Sequence, residues 1–79
     1  MSLELEQQTL QEQFETIIKT EDKLQIREFL DDQNISDVAE LVYEFPEYDS
    51  QIIAGMSVNR AASVFKILDL PTQKTIIRE

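Results

Sequence analysis

Ser36-Asp37-Val38-Ala39-Glu40-Leu41-Val42-Tyr43-Glu44-Phe45-Pro46 is echoed twenty-three residues on by Asn59-Arg60-Ala61-Ala62-Ser63-Val64-Phe65-Lys66-Ile67-Leu68, and Ile52-Ile53 are answered, one place further along, by Ile76-Ile77. A sequence that repeats itself at such a spacing builds one supersecondary unit per copy. Residues 36–53 and 59–77 each read as helix, Pro-marked turn, helix. A pair of short helices cannot bury its apolar stripe alone, so neighbouring pairs must cover one another. The reading is therefore all-α: short helices stacked as an α-solenoid-like repeat domain of about six helices, the last of them cut short. Stacks of this kind work by presenting a surface.

Working outward from the repeat, Leu3, Leu10, Phe14, Ile17 and Ile18 keep the spacing of one helical face and predict a first helix over residues 3–19. Thr20 is expected to cap the second helix, with Glu21 and Asp22 at the positive end of its dipole and Ile26, Phe29 and Leu30 as its stripe. Asn34 is the expected N-cap of a third helix, its side-chain oxygen accepting from Ser36 or Asp37, and Val38, Leu41, Val42 and Phe45 are its buried face. Pro46 suits the first turn of a fourth helix over residues 47–54, which Gly55 closes in a left-handed conformation. Ser57 caps a fifth helix with Val58, Ala61, Ala62, Phe65 and Leu68 inward, and Pro71 opens a sixth. The organisation is one domain: an N-terminal helix within residues 1–20, then repeated pairs in 21–79. The segment Lys74-Thr75-Ile76-Ile77-Arg78-Glu79 has no Gly, Asn or Pro to close a helix, which predicts that the chain is the first part of a longer domain.

Seventy-nine residues with 42% hydrophobic content lie near the lower limit for a self-sufficient core. A single Gly and two Pro argue against a sheet built from tight turns. The chain has neither Cys nor His, which excludes disulfides and thiolate zinc sites and removes the commonest general base. Ser36, Ser50, Ser57 and Ser63 have no spacing to a base that singles out a nucleophile, so no enzyme is expected. No apolar run approaches the roughly 18 residues needed to cross a bilayer, and the acidic start lacks the features of a secretion signal. A soluble, cytosolic location is expected.

Charge sharpens the picture. The net −9 is uneven: residues 28–59 carry eight acids and no base, whereas 60–79 carry two acids and four bases. A surface this negative repels phosphate backbones and anionic lipid, so neither nucleic acid nor direct membrane insertion is expected. Arg60, Lys66, Lys74 and Arg78 read as solubilising cations. Asp31, Asp32 and Asn34 superficially suggest a calcium loop, but the Gly that such a loop needs at its sixth position is missing. Tyr43 and Tyr48 flank the Pro46 turn and are expected to cover an inter-helix junction, with Met56 filling a gap.

Asn34-Ile35-Ser36-Asp37-Val38-Ala39-Glu40-Leu41-Val42, Phe45-Pro46, Arg60-Ala61-Ala62-Ser63-Val64-Phe65 and Leu68-Asp69-Leu70-Pro71 together resemble the repeat of the N-terminal cytosolic domain of MgtE-type magnesium transporters. The resemblance covers residues 24–79. It implies a right-handed superhelical stack and a regulatory domain that helps sense magnesium and gate the pore through an ion-bridged contact with CBS domains of the same chain. The transmembrane domain would lie beyond them, on a polypeptide that forms a homodimer and holds this domain at the cytoplasmic side of the membrane. Mg²⁺ at a domain interface is the implied cofactor. Two positions depart from the family pattern: Asn34-Ile35 replaces its His-Pro, and Ser63 stands where an acid is frequent, a hydroxyl being a much weaker magnesium ligand than a carboxylate. Asp37, Glu40 and Glu44, at helical spacing opposite the apolar stripe, are the candidate metal residues, although such a row is more often a plain solvated face. The alternative is a helical-repeat assembly module without ion sensing, similar to that of the flagellar switch protein FliG.

Overall fold

The computed structural model describes residues 9–78. Six α-helices follow one another: α1 (Leu10–Ile18), α2 (Lys23–Asp31), α3 (Ile35–Glu44), α4 (Asp49–Gly55), α5 (Val58–Ile67) and α6 (Leu70–Arg78). A single 3₁₀ turn, Pro46–Tyr48, leads into α4, and there is no strand among the described residues. The all-α expectation is met. Leu3, placed by its spacing on the first helix, lies outside the described residues, and the helix expected over residues 3–19 is corrected at its start: Thr9 is extended and caps a helix that begins at Leu10.

The repeat is visible in the backbone. Helices α3 and α5 are both ten residues long, and the φ/ψ values of the residues before them, −66/151 at Asn34 and −62/151 at Ser57, nearly coincide. The odd-numbered helices pack on one another, α1 on α3 and α3 on α5, while α2 packs on α4. Helices adjacent in sequence also pack together from α1 to α2 and from α3 through α5, and the whole measures 42 × 21 × 21 Å. Phe14, Leu30, Val38, Leu41, Val42, Ile52 and Val64 are fully buried along its centre. Each such side chain contributes about 1.5–3 kcal/mol through removal of apolar area from water. Phe14 from α1 packs on Phe45 with ring centroids 5.0 Å apart and meets Tyr48 edge-on at 6.0 Å, so the first helix is tied to the Pro46 turn.

Helix starts follow local chemistry closely. Thr9 and Glu12 form a reciprocal capping box at α1, the Thr9 hydroxyl accepting from the Glu12 amide and the Glu12 carboxylate from the Thr9 amide. At α2 the cap is Asp22, not Thr20: its carboxylate accepts from the amides of Leu24 and Gln25. A carboxylate outcompetes a hydroxyl at the positive end of a helix, and the Thr20 hydroxyl instead donates to the Ile17 carbonyl and accepts from the Asp22 amide. Glu21 between them takes φ 58°, the left-handed turn that reverses the chain.

Three other expectations are corrected. Gly55 closes no left-handed turn: its φ is not positive, and it is the last residue of α4. A Cβ there would stand 3.2 Å from Ile26 Cγ2, a tight contact, and 3.5 Å from Leu30 Cδ1, an ordinary one, so Gly eases the approach of α2. Asn34 and Ser57 occupy the N-cap positions but make no side-chain capping bond, because both side chains are engaged elsewhere. On α5 the buried face is rotated from the expected one: Val58 is 83% exposed and Ala62 is exposed, while Val64 is fully buried, Ala61 and Phe65 are half-buried, and Leu68 just beyond the helix is buried.

Candidate functional site

Helix α3 carries the three candidate metal residues. Glu40 and Glu44 are exposed one turn apart, while Asp37 is half-buried, its carboxylate 3.5 Å from the Asn34 side-chain nitrogen. Asn34 thus presents its amide nitrogen to Asp37 rather than its oxygen to the backbone, which accounts for the missing cap bond. No group of three acidic side chains that could hold a metal ion occurs among the described residues. The row of acids is therefore spread along the helix rather than gathered. Mg²⁺ keeps several waters and takes one or two carboxylates, so Glu40 and Glu44 fit it only as half of a shell that another domain completes.

Two charged side chains have structural tasks that the sequence reading did not assign to them. Arg60, from the first turn of α5, reaches across to the C-terminal end of α2. Its guanidinium donates to the carbonyls of Leu30, at 3.2 Å, and Gln33, and its Nε lies 3.5 Å from Asp31 Oδ1, near enough for ion pairing though not aligned as a hydrogen bond. Asp31 in turn accepts from the Ser57 amide, so the two helix ends are joined by reciprocal contacts. Arg60 is a pin rather than a solubilising cation, and Asp31 is a structural partner. The second is Asp49, only 4% exposed, whose carboxylate accepts from the Ser50 amide in the first turn of α4. Helical spacing alone gives no sign of Arg60 as a pin, since its partners lie twenty-seven to thirty residues away. Asp49 had a readable signal, an acid in the first turn of a Pro-led helix.

Tyr43 and Asp69 tie the repeats together. The Asp69 amide donates to the Tyr43 hydroxyl at 2.9 Å, linking the far end of α3 to the start of α6, as the junction role expected for Tyr43 requires. The Asp69 carboxylate accepts from the Thr72 amide at 2.9 Å. The Thr72 side chain and amide together hold the Asp69 carboxyl below its ordinary value. The carboxylate therefore serves as the cap of α6, one residue before the helix and two before Pro71.

The chain matches no family model, no curated protein and no solved structure. What can be read of its function rests on its surfaces. A groove of about 560 Å³ lies between the α1–α2 turn and α4, lined by Ile18, Ile26, Ala54 and Gly55 together with the polar residues Glu21, Lys23, Arg27 and Gln51. A smaller cavity of about 140 Å³ beside Asp49 is lined by Val42, Tyr43 and Pro46 on one side and Thr72 and Thr75 on the other. No helix among the described residues is long and apolar enough to cross a membrane.

Proposed function

We propose that this chain is a regulatory docking module of an MgtE-type magnesium transporter, a helical-repeat domain whose stack continues as a right-handed superhelix and whose carboxylates meet magnesium at a contact with CBS domains. The observation that carries the reading is the twenty-three-residue repeat, with matching helix lengths and N-cap geometry at Asn34 and Ser57. Those are the positions through which the sequence resembles that family. The exposed pair Glu40 and Glu44 supplies the acidic half of the contact. Like charges on two facing domains repel, and a shared cation converts that repulsion into attraction only when both faces are present. Ser63, exposed on α5 with its hydroxyl donating to the Asn59 carbonyl, contributes no carboxylate to this face.

The test has two parts. Reading on in the gene should reveal CBS domains followed by apolar spans. Magnesium titration followed by NMR should then give saturable shifts at Glu40 and Glu44 in the domain pair, abolished by Glu40→Gln with Glu44→Gln. The single domain should respond to magnesium no more than to sodium at matched ionic strength. Identical responses of the pair and the single domain would end the ion-bridged reading.

A second reading, an assembly module without ion sensing, is favoured by a separate observation: the candidate acids do not converge, whereas α5 and α6 expose large apolar side chains. A gene that continues only into further soluble helical repeats would favour it.

A further inference from the structure

The odd-numbered helices form a series in which α1 packs on α3 and α3 on α5. Helix α3 carries two apolar stripes, set about a quarter turn apart around its axis. The first is Val38, Leu41 and Phe45, and the second is Ile35, Ala39 and Val42. Phe45 packs on Phe14 of α1, so the first stripe faces back along the series and the second is left for α5. Both are covered: Val38, Ala39, Leu41 and Val42 are buried, and Ile35 and Phe45 are half-buried.

The same two stripes recur in α5, twenty-three residues on. Ala61, Val64 and Leu68 repeat the first and turn inward, Val64 and Leu68 being buried. Val58, Ala62 and Phe65 repeat the second, and here the covering stops: Val58 is 83% exposed, Ala62 is exposed and Phe65 is half-buried. The trailing helices show the same deficit. Ile52 and Ile53 of α4 are fully and half-buried, whereas their counterparts Ile76 and Ile77 of α6 are half-buried and exposed.

We infer that Val58, Ala62 and Phe65 are the seat for the leading helix of a third repeat unit of the same polypeptide, a helix whose own stripe has the spacing of Val38, Leu41 and Phe45. The inference rests on the repeat in the proposed reading and is independent of magnesium, since it uses none of the candidate acids. Equivalence selects the occupant, because the matching seat on α3 is filled by α5, the leading helix of the next unit. A second copy fits less well. Its α1 turns Glu12, Glu15, Thr16 and Lys19 outward, a polar face of the kind that terminates a stack, so copies cannot add head to tail. Two α5 stripes laid face to face would bury one short row of side chains on each partner, well short of the roughly 800 Å² per side of a stable association. A unit on the same polypeptide needs no such area, because covalent linkage holds the two surfaces at high effective concentration.

The test starts with the gene, which should encode apolar residues twenty-three or so places beyond Ala61, Val64 and Leu68. A continuation with this stripe but without CBS domains would keep the inference and end the magnesium reading, so the two fail separately. Expressed with that continuation, the chain should exchange the amides of α5 about tenfold more slowly than residues 1–79 do alone. Ala62→Glu should leave the melting temperature of residues 1–79 within about three degrees of the parent and lower that of the longer chain by about ten. Val58→Ser, too mild to unfold either chain, should show the same contrast at reduced size. A gene that stops at Glu79 or continues without the stripe would overturn the inference. So would equal exchange of α5 in the two lengths, equal losses from Ala62→Glu in both, or sedimentation showing residues 1–79 to be a dimer that Ala62→Glu dissolves.

Discussion

Asp22 and Asn34 occupy the same formal position at the starts of α2 and α3, yet only Asp22 caps with its side chain. Asp22→Ala should therefore cost about 1 kcal/mol and Asn34→Ala only a few tenths, a contrast that urea midpoints of the two variants will resolve. Gly55 is decided by space instead. The two side chains nearest its missing Cβ belong to α2, so Gly55→Val should destabilise by about 1–3 kcal/mol through overpacking. Gly55→Ala should stay within about 1 kcal/mol of the parent, because its better helix propensity offsets the tight contact with Ile26. Asp69 supplies the pH-dependent element. Its carboxyl is lowered by Thr72, so the stabilisation of α6 is present above the unfolded-state value and is lost as pH falls through the lower folded value. Carbon NMR titration should show Asp69 protonating below an exposed aspartate, and Asp69→Asn should flatten the acid dependence of amide protection in α6. These details were only partly legible. Residue type flags a helix start within a residue or two, but which of Thr20 and Asp22 wins depends on where the turn places each oxygen.

At the scale of elements, the six helices and the Pro46 turn could be read from apolar spacing and punctuation, because short helices with a single buried stripe leave a strong periodic signal. The rotation of α5 could not. Val58, Ala61, Ala62, Phe65 and Leu68 satisfy one helical template, and Ala61, Val64, Phe65 and Leu68 satisfy another turned slightly around the axis. Packing against α3 and the anchoring of Arg60 on α2 choose between them. The energetic consequence is measurable. Leu41→Ala in the middle of α3 should cost about 3 kcal/mol, whereas Leu70→Ala on the exposed face of α6 should stay within about 0.5 kcal/mol. Arg60→Ala, removing the donors to Leu30 and Gln33, should cost about 1–2 kcal/mol and raise amide exchange selectively at the junction of α2 and α5. The candidate site was legible as a row of acids and no further, since sequence spacing places Asp37, Glu40 and Glu44 on a helix but says nothing of what faces them.

Over the whole molecule, charge and apolar exposure are distributed in opposition. The acid-rich middle of the chain covers a well-packed centre, and the basic last stretch bears the exposed aliphatic side chains. Self-repulsion among surplus acids opposes compaction, so moderate sodium chloride should raise the melting temperature by a few degrees without any specific site. Magnesium at equal ionic strength should add little for this chain, and differential scanning calorimetry in the two salts will read the difference. The elongated shape follows the order of the helices, most of which pack on elements near them in the chain, with Arg60 reaching past α3 and α4 to the end of α2.

The coincidence of N-cap geometry at Asn34 and Ser57 makes residues 35–57 a repeating cassette. Because both borders present the same backbone conformation, unequal crossing-over between the two gene segments would splice in a whole floor of the building at an unchanged entry angle, but it would part Arg60 from the Leu30 and Gln33 carbonyls. Lengthening in such quantised steps therefore has its cost at that clasp, and a variant with the cassette inserted once after Ser57 should be helical with one more tier yet less stable than the parent at the joint that Arg60 held.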